Sequence, residues 1–397
     1  MNTPQTAPPE DQSRWPDRRL IDLLSIAVPI IQAPMAGAND AAMAAAVSEA
    51  GGLGSLPCAM LTPDRARSEY RLIRRRTQKP VNMNFFCHTP PAIDPEHERR
   101  WRSLLAPYYS EFGIDPDKDL PQVNRAPFDD AMCEVVEDCR PQIISFHFGL
   151  PAPRLLGRVK AAGCKVLASA TTVEEARHLA EHGCDAIIAQ GQEAGGHRGV
   201  FLGSMVEAQP GVMALVPQVV DAVEVPVIAA GGIADGRGIA AAFALGASGV
   251  QIGSAYLLAS ESIIGDLHRA AIEVSRDDQT ALTNLFSGRP ARGLINRIMQ
   301  EIGPISPDAP PFPTAAGAIA PLRTAAETTG SSDFTPLWSG QALPLSRRYA
   351  SSTSEKASER TIRGESRNPP ISAATLTRAL AEDALSRLGR LANEVLE

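Results

Sequence analysis

The sequence has no apolar run approaching the length of a membrane span, so no spanning helix is expected. It has no excess of basic residues either. Lys and Arg number 38 against 45 Asp and Glu, giving a formal net charge of −7 and a pI of about 5.6. That balance argues against a nucleic-acid partner or an anionic membrane surface. Local basic clusters, such as Arg71, Arg74, Arg75 and Arg76, read as the solvated face of a helix. Six cysteines (Cys58, Cys87, Cys133, Cys139, Cys164 and Cys184) are scattered without CxxC spacing. Neither a zinc site nor a disulfide framework is expected, and a reducing cytoplasm is the simplest compartment. HxH, HExxH and clustered carboxylates are missing, which points away from a metal. There is no GxSxG nucleophile elbow. The first 19 residues carry Pro, Gln and charge but no apolar h-region, so they read as an arm rather than a signal peptide.

What is present is a repeating alternation. Eight short apolar runs occur at Val28–Ala33, Gly54–Leu56, Val81–Phe86, Ile143–Phe148, Lys165–Ala168, Ala186–Ala189, Val225–Ala230 and Gly249–Ile252, most of them followed by a helical pattern. Asp40, Thr62, Thr172 and Asp235 stand where N-caps belong, and Thr172 with Glu175 forms a capping-box pattern. Near-continuous apolar strands alternating with helices imply a parallel sheet covered by helices. Eight such units in about 250 residues match a (β/α)8 TIM barrel. The open doubly wound sheet is the alternative, but Gln32-Ala33-Pro34-Met35-Ala36-Gly37 follows the first strand where that fold usually carries GxGxxG. The expected division is a disordered arm (1–21), a barrel (22–265) with a partly helical insertion after its third strand (89–140), and a helical C-terminal extension (266–347). A disordered low-complexity insertion (348–370) and a final amphipathic helix (371–397) complete it.

Ligands of such barrels bind at the C-terminal strand ends. Strand six runs into Gln190-Gly191-Gln192-Glu193-Ala194-Gly195-Gly196-His197-Arg198-Gly199, a lone imidazole among four glycines. Glycines permit close backbone approach to a flat ligand, and a histidine there can move a proton near neutral pH. His147 stands at the end of strand four. Gly231-Gly232 after strand seven and Gly253-Ser254 after strand eight suit a phosphate held by backbone N–H groups. The amides of Asn84 and Gln190 suit the carbonyl and N–H edge of a flavin ring or its ribityl hydroxyls, or else they satisfy loop backbone. Glu193 is expected to fix a loop amide or pair with Arg198, and His88, His97, His178, His182 and His268 to be surface or packing residues.

Taken together, Ile31–Gly37, Gly51–Ser55, Val81–His88, Ser145–Gly149, Ala189–Gly199, Val227–Ile233, Gln251–Ser254 and Phe286–Gly293 make the chain resemble the nitronate monooxygenases, formerly 2-nitropropane dioxygenases, of the bacterial class I group. The likeness runs from about residue 22 to about 345 and resumes in the last helix. It implies non-covalent FMN contacted by Asn84, Gln190, Gly195, Gly232 and Gln251-Ile252-Gly253-Ser254, with Gly196 and Gly231 in the same turns and the backbone of Ala33-Pro34-Met35 along the flavin. It implies catalytic roles for His197, as base or substrate contact, and for His147. The implied reaction is oxidation of an alkyl nitronate, such as propionate 3-nitronate, with O₂ to a carbonyl compound and nitrite. The implied partners are that small nitronate and O₂, in a monomer or homodimer. Related NAD(P)H-dependent quinone and enoyl-ACP reductases share the glycine-histidine loop and supply the alternative reading. Two departures stand out: Ser254 where the family often has Thr, and Phe312 where class I enzymes often place a tyrosine.

Overall fold

The structure, a computed structural model, describes residues 15–92, 94–115, 119–121, 125–203, 208–350 and 370–394. Nine strands precede residue 260: β1 (Ile30–Gln32), β2 (Gly54–Pro57), β3 (Val81–Phe86), β4 (Ile143–His147), β5 (Lys165–Ala170), β6 (Ala186–Gln190), the short β7 (Gly196–His197), β8 (Val227–Ala230) and β9 (Gly249–Ile252). All but β7 form one parallel sheet in the order β1-β9-β8-β6-β5-β4-β3-β2. At one end Ile30 pairs with Val250 and Gln32 with Ile252. A parallel bridge between Ile31 and Leu53 joins β1 back to β2 and closes the barrel. Two bonds make that seam, from Gln32 N to the Leu53 carbonyl and from Leu53 N to the Ile30 carbonyl, each 2.9 Å. The eight barrel strands are the eight apolar runs of the sequence, because strands covered by helices on one face and packed core on the other need little polar alternation.

The caps form as their residue types dictate. The side chains of Asp40, Thr62, Thr172 and Asp235 each accept from an N–H of the first turn they precede. Helix Ala41–Glu49 crosses β2 so closely that a Cβ on Gly54 would lie 1.8 Å from the Ala44 carbonyl oxygen, so only glycine fits there. The lower barrel interior is apolar: Ile31, Leu53, Leu167, Ile188 and Ile228 meet Leu20, Leu24 and Ile26 in one buried cluster. The upper interior turns polar. Asn82 Nδ2 bonds the hydroxyls of Ser55 (3.0 Å) and Ser145 (2.8 Å), and Asn84 Nδ2 bonds Ser145 Oγ at 2.9 Å.

Four details differ from the sequence expectation. The arm is packed from Trp15 onward: Trp15 is 3% exposed and its ring lies 5.4 Å from Phe243, while helix Arg19–Leu24 closes the barrel floor. Earlier arm residues lie outside the described set. The extension after residue 265 is not all helix. It adds β10 (Thr280–Thr283) and β11 (Ala291–Leu294), which pair antiparallel with each other and then with β7. Of the 348–370 stretch, residues 348–350 end helix Leu343–Ala350, where Tyr349 hydroxyl bonds Asp383 at 2.8 Å. Residues 351–369 lie outside the description. Within the 89–140 insertion, helix Pro95–Glu111 packs on helix Ala315–Thr328, while Asp130–Cys139 takes the ordinary crossover position beside its barrel neighbours. The final helix, Ala373–Glu394, lies across helices Gly236–Ala244 and Ala41–Glu49.

Candidate active site

The strand ends converge on a ring of aromatic side chains with His197 at its centre. The His197 ring lies 5.3 Å from Phe312, 5.5 Å from Trp338, 6.1 Å from Phe148 and 6.3 Å from Phe86, centroid to centroid. Its Nε2 is 2.9 Å from the Ser287 hydroxyl. The loop that carries it is fixed from four directions. Gln190 at the end of β6 donates from Nε2 to the His197 carbonyl (3.0 Å) and accepts from Gly199 N at Oε1 (2.8 Å). Arg198, fully buried, donates to the Gly191 and Gln190 carbonyls and to Gln209 Oε1. Removal from water pushes that guanidinium down to about 10. Glu193 accepts from Val212 N through both oxygens at 2.9 Å, so it fixes a loop amide at the start of helix Val212–Val220. On the fourth side, β11 pairs Ala291 with His197 and Arg292 with Gly196.

His147 faces the same loop. Its Nε2 lies 3.2 Å from the His197 carbonyl and its Nδ1 lies 3.0 Å from the Ser169 hydroxyl. A carbonyl only accepts, so Nε2 carries the proton and Nδ1, in the neutral ring, accepts from Ser169. Both ring nitrogens are thus engaged by protein groups. In this arrangement His147 supports the His197 loop, while His197 alone of the two has a nitrogen, Nδ1, without a hydrogen bond among the described residues.

Three residues join the site that sequence reasoning missed. His88, expected to be a surface or packing residue, is 5% exposed, and its ring meets Phe312 edge-on at 4.8 Å. Arg289 lies over the Phe148 ring at 3.9 Å and donates to the Val200 carbonyl. Arg125, from the insertion, lies 5.8 Å from the Phe312 ring centre. Phe148 holds a positive φ of 70°, a conformation uncommon outside glycine, which aims its ring under Arg289. Burial, followed by repulsion from Arg125, His147 and Arg289, drives His197 well below its ordinary pKa. Burial first and Arg289 second push His147 down to about 3 and His88 down to about 4. Burial also lowers Arg289 to about 10. The site therefore holds neutral imidazoles beside cationic guanidiniums, a field that favours an anionic guest.

Those histidines make stability pH-dependent. Their folded pKa values lie below the unfolded value of about 6.5, so their contribution is full above pH 6.5 and is lost as pH falls toward 4, where the unfolded chain takes up protons the folded chain refuses. His268, pushed down to about 4 by burial and then by Arg323, adds to the effect. We expect His88, His147 and His268 each to cost about 1–2 kcal/mol between pH 7 and pH 5. Urea midpoints at the two pH values check this, and equal midpoints would remove these groups from the account.

Glu175 departs from the capping box. Thr172 caps Glu175 N at 3.2 Å, but the carboxylate does not return to Thr172. One oxygen takes Thr171 N and Oγ1 (2.7 Å each), and the other takes Phe201 N (2.6 Å) and Leu202 N (3.2 Å). At 1% exposure the carboxylate finds its donors in the chain leaving the His197 loop. Glu175→Gln sets an NH₂ against N–H donors and should cost about 2–3 kcal/mol. Hydrogen exchange at residues 199–202 should rise in step, and unchanged exchange there would show that the carboxylate does not hold the loop.

The other expected cofactor residues lie on the same barrel face. Gly231 and Gly232 turn the chain after β8 with φ of 109° and 68°. Ala33 N bonds the Ile252 carbonyl (2.8 Å), and Met35 N bonds Asn39 Oδ1 (2.9 Å), fixing the run Ala33-Pro34-Met35. A Cβ on Gly253 would meet only Ala33 Cβ at 3.5 Å and Met35 Sδ at 3.7 Å. Gln251 Oε1 is buried with no hydrogen-bond partner among the described residues. Gly195 packs on residues 339–340, where its own Cβ would be 2.6 Å from Gly340 N, and Ser254 Oγ accepts from that same Gly340 N at 2.9 Å. The segment 338–341 is thus a further wall of the site that the sequence did not announce. Among the described residues no cluster of three or more His, Cys, Asp or Glu could hold a metal, and no helix is long and apolar enough to cross a membrane.

The nitronate monooxygenase family model matches residues 17–354, most of the chain. The chain belongs to the nitronate monooxygenase family. A nitronate monooxygenase of Pseudomonas aeruginosa is 44% identical over 331 residues, 83% of this chain and 94% of that protein. Among solved structures, a nitroalkane oxidase from Streptomyces ansochromogenes is similar at a TM-score of 0.81 and 35% identity, covering 94% of this chain and 99% of its own. FabK from Thermotoga maritima matches at 0.67 and 26%, covering 95% and 98%. The family and the fold are those the sequence resemblance implied, and membership makes this chain an oxidoreductase.

Proposed function

We propose that this chain oxidises alkyl nitronates with FMN and O₂, giving a carbonyl compound and nitrite, with propionate 3-nitronate as one such substrate. The observation that carries the reading is His197: a neutral imidazole with Nδ1 open, walled by Phe86, Phe148, Phe312 and Trp338, beside Arg125 and Arg289. A nitronate is a small, flat, delocalised anion, and the side chains around His197 offer it apolar walls beside two guanidiniums.

The residues present fit FMN. Gln251 Oε1 is a buried acceptor awaiting a donor, the space above Gly253 is open to a ligand, and the Gly231-Gly232 and Gly253-Ser254 turns offer backbone N–H groups to a phosphate. Ala33, Pro34, Met35, Asn84, Gly195, Gly196, Gly231, Gly232, Gln251, Ile252, Gly253 and Ser254 would hold it, and Gln190 would act by holding the His197 loop against it. Bound FMN supplies the acceptor for the substrate's electrons and the path to O₂. The chain's own residues do the rest. His197 Nδ1 takes the α-proton of a neutral nitroalkane, or its ring lies against a nitronate already deprotonated. His147 keeps the His197 carbonyl in place through Nε2. The aromatic wall excludes water from the reacting carbon.

The test is an anaerobic titration of the FMN-loaded protein with an alkyl nitronate, read in the visible spectrum, and a parallel one with NADH and NADPH. Bleaching by the nitronate alone is the expected result. Bleaching by nicotinamide alone would sink the proposal and favour the reductase reading on the same scaffold, to which the likeness to FabK lends weight.

A further inference from the structure

We infer that Ser287 is a positioning residue that locks His197 as its Nε2–H tautomer and thereby presents Nδ1 as the proton-accepting atom. The inference rests on the reading that His197 faces the substrate, and it adds which nitrogen works and what selects it.

Ser287 Oγ lies 2.9 Å from His197 Nε2 and 3.3 Å from the Arg289 carbonyl, the latter geometry being a donation from the hydroxyl. A hydroxyl has one proton. Donated to the Arg289 carbonyl, it leaves Oγ only lone pairs to offer Nε2, so Nε2 must carry the imidazole proton. The neutral ring has just one N–H, and Nδ1 is left bare. Turning the hydroxyl to Nε2 instead would strip the Arg289 carbonyl of this bond, and Ser287 itself, only 2% exposed, has little access to water as a substitute.

The serine cannot drift away from this geometry. Ser287 N and Gly288 N both bond the Asn284 carbonyl, at 3.3 and 2.7 Å. Asn284 is clamped in turn to Ser306, through Nδ2 on the Ser306 carbonyl (2.8 Å) and Oδ1 on Ser306 N (3.0 Å). Gly288, at a φ of 83°, packs so tightly that a Cβ would lie 2.0 Å from the Pro310 carbonyl. The turn that carries Ser287 is therefore a rigid post, and the β7–β11 pairing holds His197 against it. His147 fixes the other side of the same residue by donating Nε2–H to its carbonyl, which leaves His147 no N–H to offer the His197 ring.

The test is a long-range ¹H–¹⁵N correlation on the FMN-loaded protein labelled with ¹⁵N-histidine, comparing the parent with Ser287→Ala and Ser287→Thr. The His197 signals are assigned by their loss in His197→Asn. The expected parent spectrum has His197 with a pyrrole-type Nε2 and a pyridine-type Nδ1. Ser287→Ala should mix or reverse the two, and Ser287→Thr should restore them. Turnover should follow: with a neutral nitroalkane kcat falls about tenfold or more in Ser287→Ala and recovers in Ser287→Thr, while flavin content is unchanged. A parent spectrum with Nδ1 protonated, or an Ala variant with the parent tautomer, overturns the inference. The spectra need no turnover. A protein inactive on nitronates and nitroalkanes would defeat the proposed function while the tautomer result still decides the role of Ser287.

Discussion

His197→Asn should keep its flavin and lose turnover of neutral nitroalkanes by roughly 10²-fold or more, with a much smaller loss on preformed nitronates. Asparagine retains a polar side chain in the same pocket but has no lone pair basic enough to take an α-proton. The loop itself does not depend on the imidazole. Gln190 holds the backbone at His197 O and Gly199 N, Arg198 holds Gln190 O and Gly191 O, and β11 pairs along it. The difference between the two substrates is the informative quantity, because only the nitroalkane needs a proton removed. Equal losses on both would make His197 a binding residue, and no loss on either would take it out of the mechanism. The pH dependence carries the same information. A base held well below its ordinary pKa is already neutral at pH 6, so the nitroalkane rate should not fall between pH 7.5 and 6 through this group.

Gly253→Val should empty the protein of flavin without unfolding it. The site has a negative φ of −109°, outside the left-handed region that calls for glycine, and the first carbon added finds ordinary van der Waals neighbours in Ala33 and Met35. Its methyl groups would then enter the space between the ends of β1 and β9, where the proposed cofactor approaches the backbone. Visible absorbance after purification should drop to background. The thermal midpoint should match that of the parent stripped of flavin, which is the right comparison because a bound ligand raises the midpoint by mass action. Flavin retained at the parent level would remove the β9 turn from the binding site. Flavin lost together with the fold would be a packing effect and say nothing of the cofactor.

The eight barrel strands were legible because each is a compact apolar run that pairs with the next run along the chain, the closing pair β1 and β9 excepted. The capping residues were legible because Asp40, Thr62, Thr172 and Asp235 act within their own turn. The second sheet was not. Its strand β7 is two residues long, one of them glycine, and its partner β11 lies far along the chain, so no local period marks either. The aromatic wall was hidden for the same reason: Phe86, Phe148, Phe312 and Trp338 come from four separate segments. His88 read as a surface or packing residue, and no motif drew notice to Arg125 in the insertion. Only tertiary structure turns them inward. Gln190 was read with two chemical options open, and its two bonds to the loop backbone favour one of them. For His147, the strand-end position could not reveal that both nitrogens are already engaged.

The pairing of β7 with β11 has one more consequence, for how this protein comes into being. During synthesis the barrel strands emerge in order and can close on one another, since β9, the last to join, ends at Ile252. The imidazole then has no edge to lie along until Ala291–Leu294 has left the ribosome and docked. A nascent chain with a finished barrel is a scaffold without a working loop. The same linkage constrains inheritance. Because successive residues of a strand point to opposite faces, a one-residue slip of β11 against β7 would turn the side chains of β11 over and set Arg292, in place of Ala291, opposite His197. The loop and the strand that backs it are matched residue by residue.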